Sequence, residues 1–437
     1  MKTFGIIAEY NPFHNGHKYH IDKVREAGAT HIVAVMSGNY VQRGDVAIID
    51  KFRRAEIAVQ NGVDLVIELP VTYSLSSAEL FARSGMMLLG ALGCVDGVSF
   101  GCENDSLTLL KEAAEASIKA AVPEKIRPVL EQGTPYPQAL QQIIGLEAGP
   151  LISEIFDDPN NTLAVEYIKA LKFLSLDMEI LPIKRVGASH DSDTPSGIYA
   201  SASAIREMIE DGEDFNAYVP EQTAKAVTEY EEAEYLCYFE NLERELLYML
   251  RKSVPQQLAL LPDVGQGLEN RLFEAGKAAA SLDEFLEMCK TKRYTMAKLR
   301  RILLNMYIGT LNSDLMMPPA FGRILAFNDR GIEIIKASGA KNSEEPNRLA
   351  VPFSSDIKEL VSSPTPAAKR FVQLTTLSSD LYALAARNVK RSGTDFTAKI
   401  AKISIDEEII GEQIADSMID AGDSTGIEVT KGGKSPE

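Results

Sequence analysis

The residues with the clearest chemical potential lie close to the start of the chain. His14, Gly16 and His17 follow a short apolar run and stand where a helical pattern begins. The N-terminus of a helix offers free N–H groups and the positive end of a dipole, both of which favour phosphate. Gly16 lets a ligand approach the backbone closely, and the two histidines can donate to phosphate oxygens as charge develops on them. The motif predicts adenylyl transfer that relies on aligned donors rather than on a protein nucleophile.

The same two histidines could instead form a metal site together with His20. Four of the five histidines, at positions 14, 17, 20 and 31, lie within the first 31 residues, which indicates a site rather than chance. A zinc site needs further Cys, His or carboxylate ligands in tetrahedral positions, and Glu9 is the only carboxylate close by. We therefore expect a phosphate cradle and no metal held by the protein.

A second motif lies later in the chain, where Ser201 and Ser203 precede Arg206 at the start of a predicted helix. Hydroxyl groups at a helix start can cap the helix or donate to phosphate, and the arginine can clamp a triphosphate tail. Taken alone, this spacing is more often explained by simple capping. Together with the upstream histidines it matches the signature of HIGH-type nucleotidylyltransferases, so we interpret the two motifs as one nucleotide site.

The elements that must position these motifs alternate between short apolar runs and amphipathic helices. This order is typical of parallel βαβ units, in which ligands bind beyond the C-terminal ends of the strands. Near Tyr218 the alternation stops. The predicted strands are residues 3–8, 31–36, 64–69, 95–100 and 178–183, and the predicted helices are residues 16–27, 50–60, 77–92, 162–174 and 203–210.

The rest of the chain has a different pattern. From about residue 220 to 307, Leu, Glu and Ala recur at helical spacing. Residues 321–335 resemble a strand pair that turns around Asp329, Arg330 and Gly331. We expect an α/β fold, with a Rossmann-like parallel-sheet domain at 1–220, a mostly helical region at 221–403, and an acidic tail at 404–437 that is flexible.

Composition narrows the cellular setting and the partners. The chain has 437 residues with 45% hydrophobic side chains, four scattered cysteines and no apolar run long enough for a membrane span, which predicts a soluble cytoplasmic protein. We see no membrane association and no protein partner in this pattern. The net charge of −17 argues against a polyanionic partner, but a local basic patch can decide docking.

One segment provides such a patch. Residues 290–301 contain six basic residues and no acidic one. Helical spacing would place Lys290, Arg293, Lys298 and Arg301 near one face, with Tyr294 available to stack on a base. A solvated charged face is the alternative explanation, and the contrast with the acidic chain makes an RNA-docking surface at least as well supported.

The loop after the second predicted strand, residues 39–51, is a further candidate for phosphate or substrate binding. It contains Gln42, Arg43, Asp45 and Lys51, and it stands at the C-terminal end of a strand. The two arginines just beyond it, Arg53 and Arg54, are better explained as a solvated basic helix face.

Longer stretches of the sequence resemble the bacterial tRNA(Met) cytidine acetate ligase family. The resemblance extends from residue 1 to about 400 and is most specific in its first two motifs. Cys102 stands where a serine is expected, and Thr134-Pro135-Tyr136-Pro137 where Ser-Tyr-Pro is expected. The matching motifs are residues 8–17, 36–44, 62–70, 99–103 and 159–163, Lys184-Arg185 ahead of His190-Asp191, and residues 292–295.

This resemblance implies a two-step reaction. Acetate and ATP, the latter with Mg²⁺ on its triphosphate, give acetyl-adenylate and pyrophosphate. The acetyl group then passes to N4 of the wobble cytidine of elongator tRNA(Met), which gives N4-acetylcytidine and AMP without acetyl-CoA. Residues 1–220 would hold ATP, and 221–403 would bind tRNA. The implied catalytic residues are His14, His17 and Arg206; the implied ATP-binding residues are Ile7, Ala8, Glu9, Tyr10, Asn11, His14, Asn15, Gly16, His17, Lys18, His20, Gly101, Asn161, Arg185, Ser201 and Ser203; and the tRNA-binding candidates are Lys292, Arg293, Lys298, Arg300 and Arg301.

The residues by themselves leave the attacking group open. The two motifs predict an oxygen that attacks the α-phosphate of a nucleotide, and an acetate oxygen needs no general base. Cytidine N4 is a poor nucleophile whose proton a carboxylate or histidine could accept, but the sequence does not identify that base. A nucleotidylyltransferase acting on a small phosphorylated acceptor and an ATP-sensing RNA-binding module remain as alternatives.

Overall fold

The computed structural model describes residues 1–187, 195–344, 349–362 and 365–404. The family match at His190-Asp191 and residues 405–437 of the expected tail lie outside these ranges. Within them, no helix combines the length and the apolar character that crossing a membrane requires.

One twisted sheet forms the centre of the described structure, and a short hairpin lies beside it. The strand order is β10-β8-β5-β2-β1-β6-β7, with β9 paired to β8. Strands β5, β2, β1, β6 and β7 run parallel, whereas β8 is antiparallel to β5. The strands are β1 (Thr3–Ala8), β2 (His31–Ser37), β3 (Tyr40–Val41), β4 (Asp45–Val46), β5 (Leu65–Leu69), β6 (Gly97–Cys102), β7 (Glu179–Lys184), β8 (Gly322–Asn328), β9 (Phe353–Ser354) and β10 (Ala401–Ile403).

Helices cover both faces of this sheet and build a second, all-helical layer beyond it. The first ten are α1 (Asn15–Glu26), α2 (Lys51–Gln60), α3 (Val71–Ser74), α4 (Ala78–Leu92), α5 (Leu107–Ala120), α6 (Pro123–Glu131), α7 (Tyr136–Ala148), α8 (Pro150–Ser153), α9 (Pro159–Leu174) and α10 (Ala202–Asp211). The remaining ones are α11 (Glu221–Glu232), α12 (Glu243–Lys252), α13 (Pro255–Leu258), α14 (Leu268–Ala278), α15 (Leu282–Cys289), α16 (Met296–Ile308), α17 (Asp329–Glu344), α18 (Ile357–Val361), α19 (Pro366–Tyr382) and α20 (Thr394–Thr397).

The apolar runs of the strands explain why both faces of the sheet are covered. In β2 every residue is buried, and successive side chains point to opposite faces. Val33 and Val35 belong to the core that contains α4 and α9, whereas Ile32 and Ala34 belong to the core that contains α1 and α2. A third core forms among α12, α14, α15 and α16. The predicted α/β fold is confirmed, and the predicted elements of the first 211 residues differ from the observed ones by only a few residues at their ends.

Residues 321–335 do not form the predicted strand pair. A single strand, β8, ends at Asn328, and α17 begins at the next residue. The Asn328 side chain accepts a hydrogen bond from the Gly331 N–H at 3.0 Å, which caps the new helix. A Cβ on Gly331 would overlap the Asp64 carbonyl oxygen. The absence of a side chain at Gly331 therefore allows α17 to pack closely against the sheet. It does not form the hairpin turn that the sequence indicated.

The expected division near residue 220 does not separate the strands. β8, β9 and β10 come from the later part of the chain, yet they extend the same sheet beyond β5. The stretch from α11 to α16 is helical throughout, apart from short turns and loops. The chain therefore adds no strand to the sheet between α10 and β8, and it rejoins the sheet at β8.

Candidate active site

A cavity of about 480 Å³ opens at the C-terminal ends of β1, β6 and β7, the edge at which parallel sheets bind ligands. The starts of α1 and α10 and the β3–β4 hairpin (residues 40–46) close its sides. Both sequence motifs meet here although they are almost 200 residues apart. The predicted residues that line the cavity are Ile7, Ala8, Glu9, Tyr10, Asn11, His14, Gly16, His17, His20, Gly101, Arg185, Ser201, Ser203 and Arg206.

The two motif histidines form a reciprocal cap at the start of α1. The His14 Nδ1 accepts the Gly16 N–H at 3.1 Å, and the His17 Nδ1 accepts the His14 N–H at 3.2 Å. Their rings stack with centroids 3.7 Å apart. Because each Nδ1 accepts a backbone hydrogen, a neutral ring carries its own proton on Nε2. The cap thus fixes the tautomer in which Nε2–H is the remaining donor.

The surroundings keep these rings neutral. Burial, reinforced by the Arg185 and Arg206 guanidinium groups, lowers the pKa of His14 to about 3. Burial lowers the pKa of His17 well below its usual value, and the neighbouring His14 and Arg185 lower it further. Near neutral pH the two histidines are therefore neutral hydrogen-bond donors and not general acids.

His20 has a different environment one turn further along α1. Its Nε2 lies 2.8 Å from Ser99 Oγ, which itself donates to the Leu181 carbonyl oxygen at 2.9 Å. The Ser99 hydroxyl therefore accepts the His20 Nε2–H, and this proton does not point to a ligand. Burial and Arg185 lower the pKa of His20 to about 4. His20 lines the cavity as a neutral ring anchored to β6.

The second motif combines capping with access to the cavity. Ser201 Oγ accepts the Ala204 N–H at 3.1 Å, which caps α10, and lies 3.0 Å from Ser203 Oγ. Arg206 donates from one terminal nitrogen to the Asn11 carbonyl oxygen at 2.8 Å. Burial lowers the pKa of Arg206, but an arginine stays charged at neutral pH. The partly buried Arg206 guanidinium lines the same cavity as the histidine cap.

Three predicted ATP-binding residues are absent from the lining and make structural contacts. Asn15 donates to the Ile198 and Ala217 carbonyl oxygens, both at 3.0 Å. Lys18 forms an ion pair with Asp22 on the outer side of α1. Asn161 is buried, and its Oδ1 accepts the N–H groups of residues 103 and 104 at 3.0 Å. Asn161 therefore holds the loop after β6, next to Gly101, and its predicted contact with ATP stays a prediction.

The interpretation of Arg54 as a solvated charge is wrong. Its guanidinium is fully buried and donates to four carbonyl oxygens, those of Glu9, Ser37, Gly38 and Ile49. It thereby joins the ends of β1 and β2 beneath the cavity. The signal was present in the sequence, because position 54 falls on the face of α2 that also carries the buried residues 51, 55 and 58.

The β3–β4 hairpin reaches the cavity through Gln42. The Gln42 N–H donates to Glu9 Oε1 at 2.6 Å, and its side chain donates to the Ser76 carbonyl oxygen at 3.2 Å. From the helical region, Arg301 donates to the Gln42 carbonyl oxygen at 3.3 Å, and Arg300 donates to the Gly44 carbonyl oxygen at 3.0 Å. The hairpin is thus held between the cavity and α16.

The basic segment 290–301 is not one helical face. The α15 helix ends at Cys289, and Thr295 caps the start of α16, so the first basic residues lie in a connecting turn. Lys292 and Arg293 are exposed, and Lys298 is half-buried beside Tyr294. In contrast, Arg300 and Arg301 hold the hairpin and form ion pairs. Their carboxylate partners at 3.1 Å are Asp45 for Arg300 and Asp263 for Arg301.

The described residues contain no group of three or more His, Cys, Asp or Glu side chains arranged to hold a metal ion. The histidine cluster at the start of α1 uses its Nδ1 atoms for backbone hydrogen bonds instead.

Comparisons with known proteins place this geometry in a family. The sequence pattern described as HIGH Nucleotidyl Transferase matches residues 1–395. The tRNA(Met) cytidine acetate ligase of Acetivibrio thermocellus is 32% identical over 92% of this chain and 99% of its own length. That of Alkaliphilus metalliredigens is 35% identical over 89% of this chain and 95% of its own length.

Solved structures agree with these matches. Apo Thermotoga maritima TmcAL superimposes with a TM-score of 0.85 at 28% identity, over 93% of this chain and all of that chain. The same protein bound with alpha-thio ATP superimposes with a TM-score of 0.83 at the same identity and coverage. The chain therefore belongs to the HIGH nucleotidyl transferases and, within them, to the family of tRNA(Met) cytidine acetate ligases.

Proposed function

We propose that this protein activates acetate with ATP and transfers the acetyl group to N4 of the wobble cytidine of elongator tRNA(Met). The observation that carries this proposal is the pair of neutral histidines whose Nε2–H donors are fixed at the start of α1, in the same cavity as Arg206. Family membership supplies the acceptor, because the relatives carry the name of a tRNA(Met) cytidine ligase. A cytoplasmic location fits a tRNA substrate.

In the first step, an acetate oxygen attacks the α-phosphorus of ATP and pyrophosphate leaves. The attacking carboxylate already carries its charge, so this step needs no base. His14 and His17 donate their Nε2–H groups to the α-phosphate as negative charge develops on it, and the N-terminus of α1 adds its dipole. Arg206 binds the departing β- and γ-phosphates. Mg²⁺ enters as part of the ATP substrate, bound to its triphosphate.

The other proposed ATP contacts come from β6 and β7. Gly101 lies against Arg185, because a Cβ at position 101 would stand 3.4 Å from Arg185 Cγ. Arg185 also pairs with Glu103 at 3.4 Å, which fixes it at the cavity wall. We place the nucleoside on this side, where Ser201, Ser203 and His20 complete the lining.

For the tRNA we propose a smaller contact set than the sequence indicated. Of the predicted tRNA-binding residues, Lys292 and Arg293 are exposed and Lys298 is half-buried, and Tyr294 lies among them. Such residues bind phosphates without reading bases. Arg300 and Arg301 contribute by holding the hairpin, so the helical region both binds tRNA and supports the cavity.

The test is to incubate the protein with labelled acetate, ATP and bulk tRNA. Acetate-dependent exchange of pyrophosphate into ATP, together with acetylcytidine in the tRNA, is the expected result. Nucleotide transfer to a small phosphorylated acceptor would instead support the nucleotidylyltransferase alternative. If neither reaction takes place while ATP and tRNA bind, the protein is an RNA-binding module.

A further inference from the structure

The cavity contains one carboxylate, Glu9, that the resemblance groups with the ATP-binding residues although a carboxylate does not bind phosphate directly. Glu9 follows β1 directly and lines the cavity five residues before His14. A carboxylate repels the phosphates of ATP, so it is better suited to a second ligand of the same cavity that carries hydrogen-bond donors. The exocyclic amino group of cytidine carries two N–H donors and must lose one proton when it is acylated. A carboxylate is a suitable acceptor for both the hydrogen bond and the proton.

We propose that Glu9 is the catalytic base that accepts the N4 proton of cytidine during acetyl transfer. This inference rests on the function proposed above. The N4 lone pair attacks the acyl carbon of acetyl-adenylate and the N–C bond forms. The bond between the acyl carbon and the phosphate oxygen then breaks, and its electron pair leaves with AMP. The N4 proton passes to a Glu9 carboxylate oxygen, so atoms and charges balance.

The other carboxylates that line the cavity in the described part of the chain accept hydrogen bonds from neighbouring protein groups. Asp45 accepts from Arg300 at 3.1 Å and from the Val46 N–H at 2.9 Å. Asp157 is exposed at the rim, and it accepts from the Gln141 side chain at 2.6 Å. Glu9 has one oxygen placed by the Gln42 N–H. That contact orients the carboxylate, while the Arg43, Arg206 and Arg54 guanidinium groups near it lower its pKa against the larger effect of burial.

The histidines of the cavity are unsuited to this role. His14 and His17 already use Nδ1 as an acceptor and carry their protons on Nε2, so neither ring has a free lone pair. His20 donates its Nε2–H to Ser99, and its lowered pKa makes its remaining nitrogen a weak base. None of the three cavity histidines can therefore accept the N4 proton, and Glu9 is the better candidate.

Largely buried aromatic side chains form part of the cavity wall near Glu9. Phe81, Phe100 and Tyr167 line the cavity, and the rings of Phe100 and Tyr167 lie 5.5 Å apart. The Glu9 carboxylate is close enough to Tyr167 to raise the pKa of that phenol, after burial itself. A base that leaves the tRNA stack can pack on such a wall and direct its N4 at the carboxylate.

The charges around Glu9 set a proton affinity that suits a base. Burial raises the pKa of Glu9, while the Gln42 N–H and nearby guanidinium groups partly oppose that rise. The groups that face it are the Gln42 N–H and Arg43 from the hairpin, Arg206 from α10, Arg54 from α2 and Tyr167 from α9. A carboxyl with a raised pKa holds a proton more strongly than an ordinary glutamate, and it is active as a base above that pKa.

The decisive variant is Glu9→Gln. The amide oxygen can still accept the Gln42 N–H, so the hairpin contact survives, but the amide cannot accept a proton. We expect a smaller loss of acetate-dependent pyrophosphate exchange than of acetyl transfer, because the first step uses no base. Single-turnover acetyl transfer from preformed acetyl-adenylate to tRNA should fall by about 10²–10⁴-fold. Glu79→Gln, an exposed residue at the start of α4 that does not line the cavity, is the matched control.

A pH series separates a base from a structural contact. The wild-type transfer rate should fall as the pH falls through the raised pKa of Glu9, because the basic form is lost. The Glu9→Gln rate should lack this dependence. Normal transfer by Glu9→Gln, or equal losses of exchange and transfer, would overturn the role of Glu9. A wild-type protein without exchange would instead refute the proposed function, so the two failures are distinguishable.

Discussion

The sequence singled out two regions by residue type, the N-terminal motif and the basic segment 290–301. The structure keeps the residues of the first together and separates those of the second. The motif residues His14, Gly16 and His17 all line one cavity, because one loop and one helix start position them together. The basic segment divides into an accessible part, Lys292 to Lys298, and an engaged part, Arg300 and Arg301.

The difference has a physical origin. A cap motif is built from contacts within four residues, so the sequence that codes for it also fixes its geometry. A run of positive charge has no such internal geometry. Whether each of its side chains faces solvent or a carbonyl oxygen depends on what packs against the helix, and here the hairpin at residues 40–46 packs against α16.

The largest expected effect concerns the donor role of His14. His14→Ala removes both the Nε2–H donor and the helix cap, whereas His14→Asn removes the donor but keeps a capping side chain. We expect both variants to lose about 10²–10³-fold in acetate-dependent pyrophosphate exchange. Only the alanine variant should also lose about 1 kcal/mol of stability in denaturant unfolding. Normal exchange by His14→Asn would show that the ring is a cap and nothing more.

A second prediction separates the two parts of the basic segment. Arg301→Met removes a hydrogen bond to Gln42 and an ion pair to Asp263, in a side chain that is only 11% exposed. We expect a loss of about 1.5–3 kcal/mol in the free energy of unfolding, and slower exchange because the hairpin loosens. The matched control Arg293→Met, at an exposed position, should change stability by less than about 0.5 kcal/mol. Equal stabilities would contradict the proposed support of the hairpin.

The accessible part should act on tRNA alone. Lys292→Glu with Arg293→Glu should weaken tRNA binding by about 10- to 30-fold at low salt and flatten its salt dependence, because two phosphate contacts are lost. Exchange without tRNA should be unchanged. Binding titrations at several salt concentrations measure this. If the salt slope of the double variant equals that of wild type, the docking surface lies elsewhere.

The smallest expected effect concerns the planar geometry of the Arg206 guanidinium rather than its positive charge. Arg206→Lys keeps the positive charge at the cavity but loses the planar fork that can bind phosphate while contacting the Asn11 carbonyl oxygen. We expect about a tenfold loss in kcat/KM for ATP in the exchange reaction. Unchanged KM and kcat would place Arg206 among the structural arginines, together with Arg54.

The amino-acid sequence by itself determined the parts of this protein whose physics is local. Apolar runs of strand length, helix starts and the histidine cap are specified by neighbouring residues, so the parallel order of the first strands and the start of α1 were predictable. The face of α2 that carries Arg54 was also encoded, although the charge of that residue favoured the wrong interpretation.

Only the tertiary structure decided the features that depend on distant segments. The return of β8 to the sheet next to β5, the use of Arg300 and Arg301 as supports of the hairpin, and the contact between Gln42 and Glu9 each join residues far apart in the chain. The free energy of such contacts comes from burial and from satisfying backbone carbonyl and carboxylate oxygens that local sequence does not reveal. For this reason the nucleotide motif was visible in the sequence, whereas Glu9 beside it became a candidate base only once its neighbours were known.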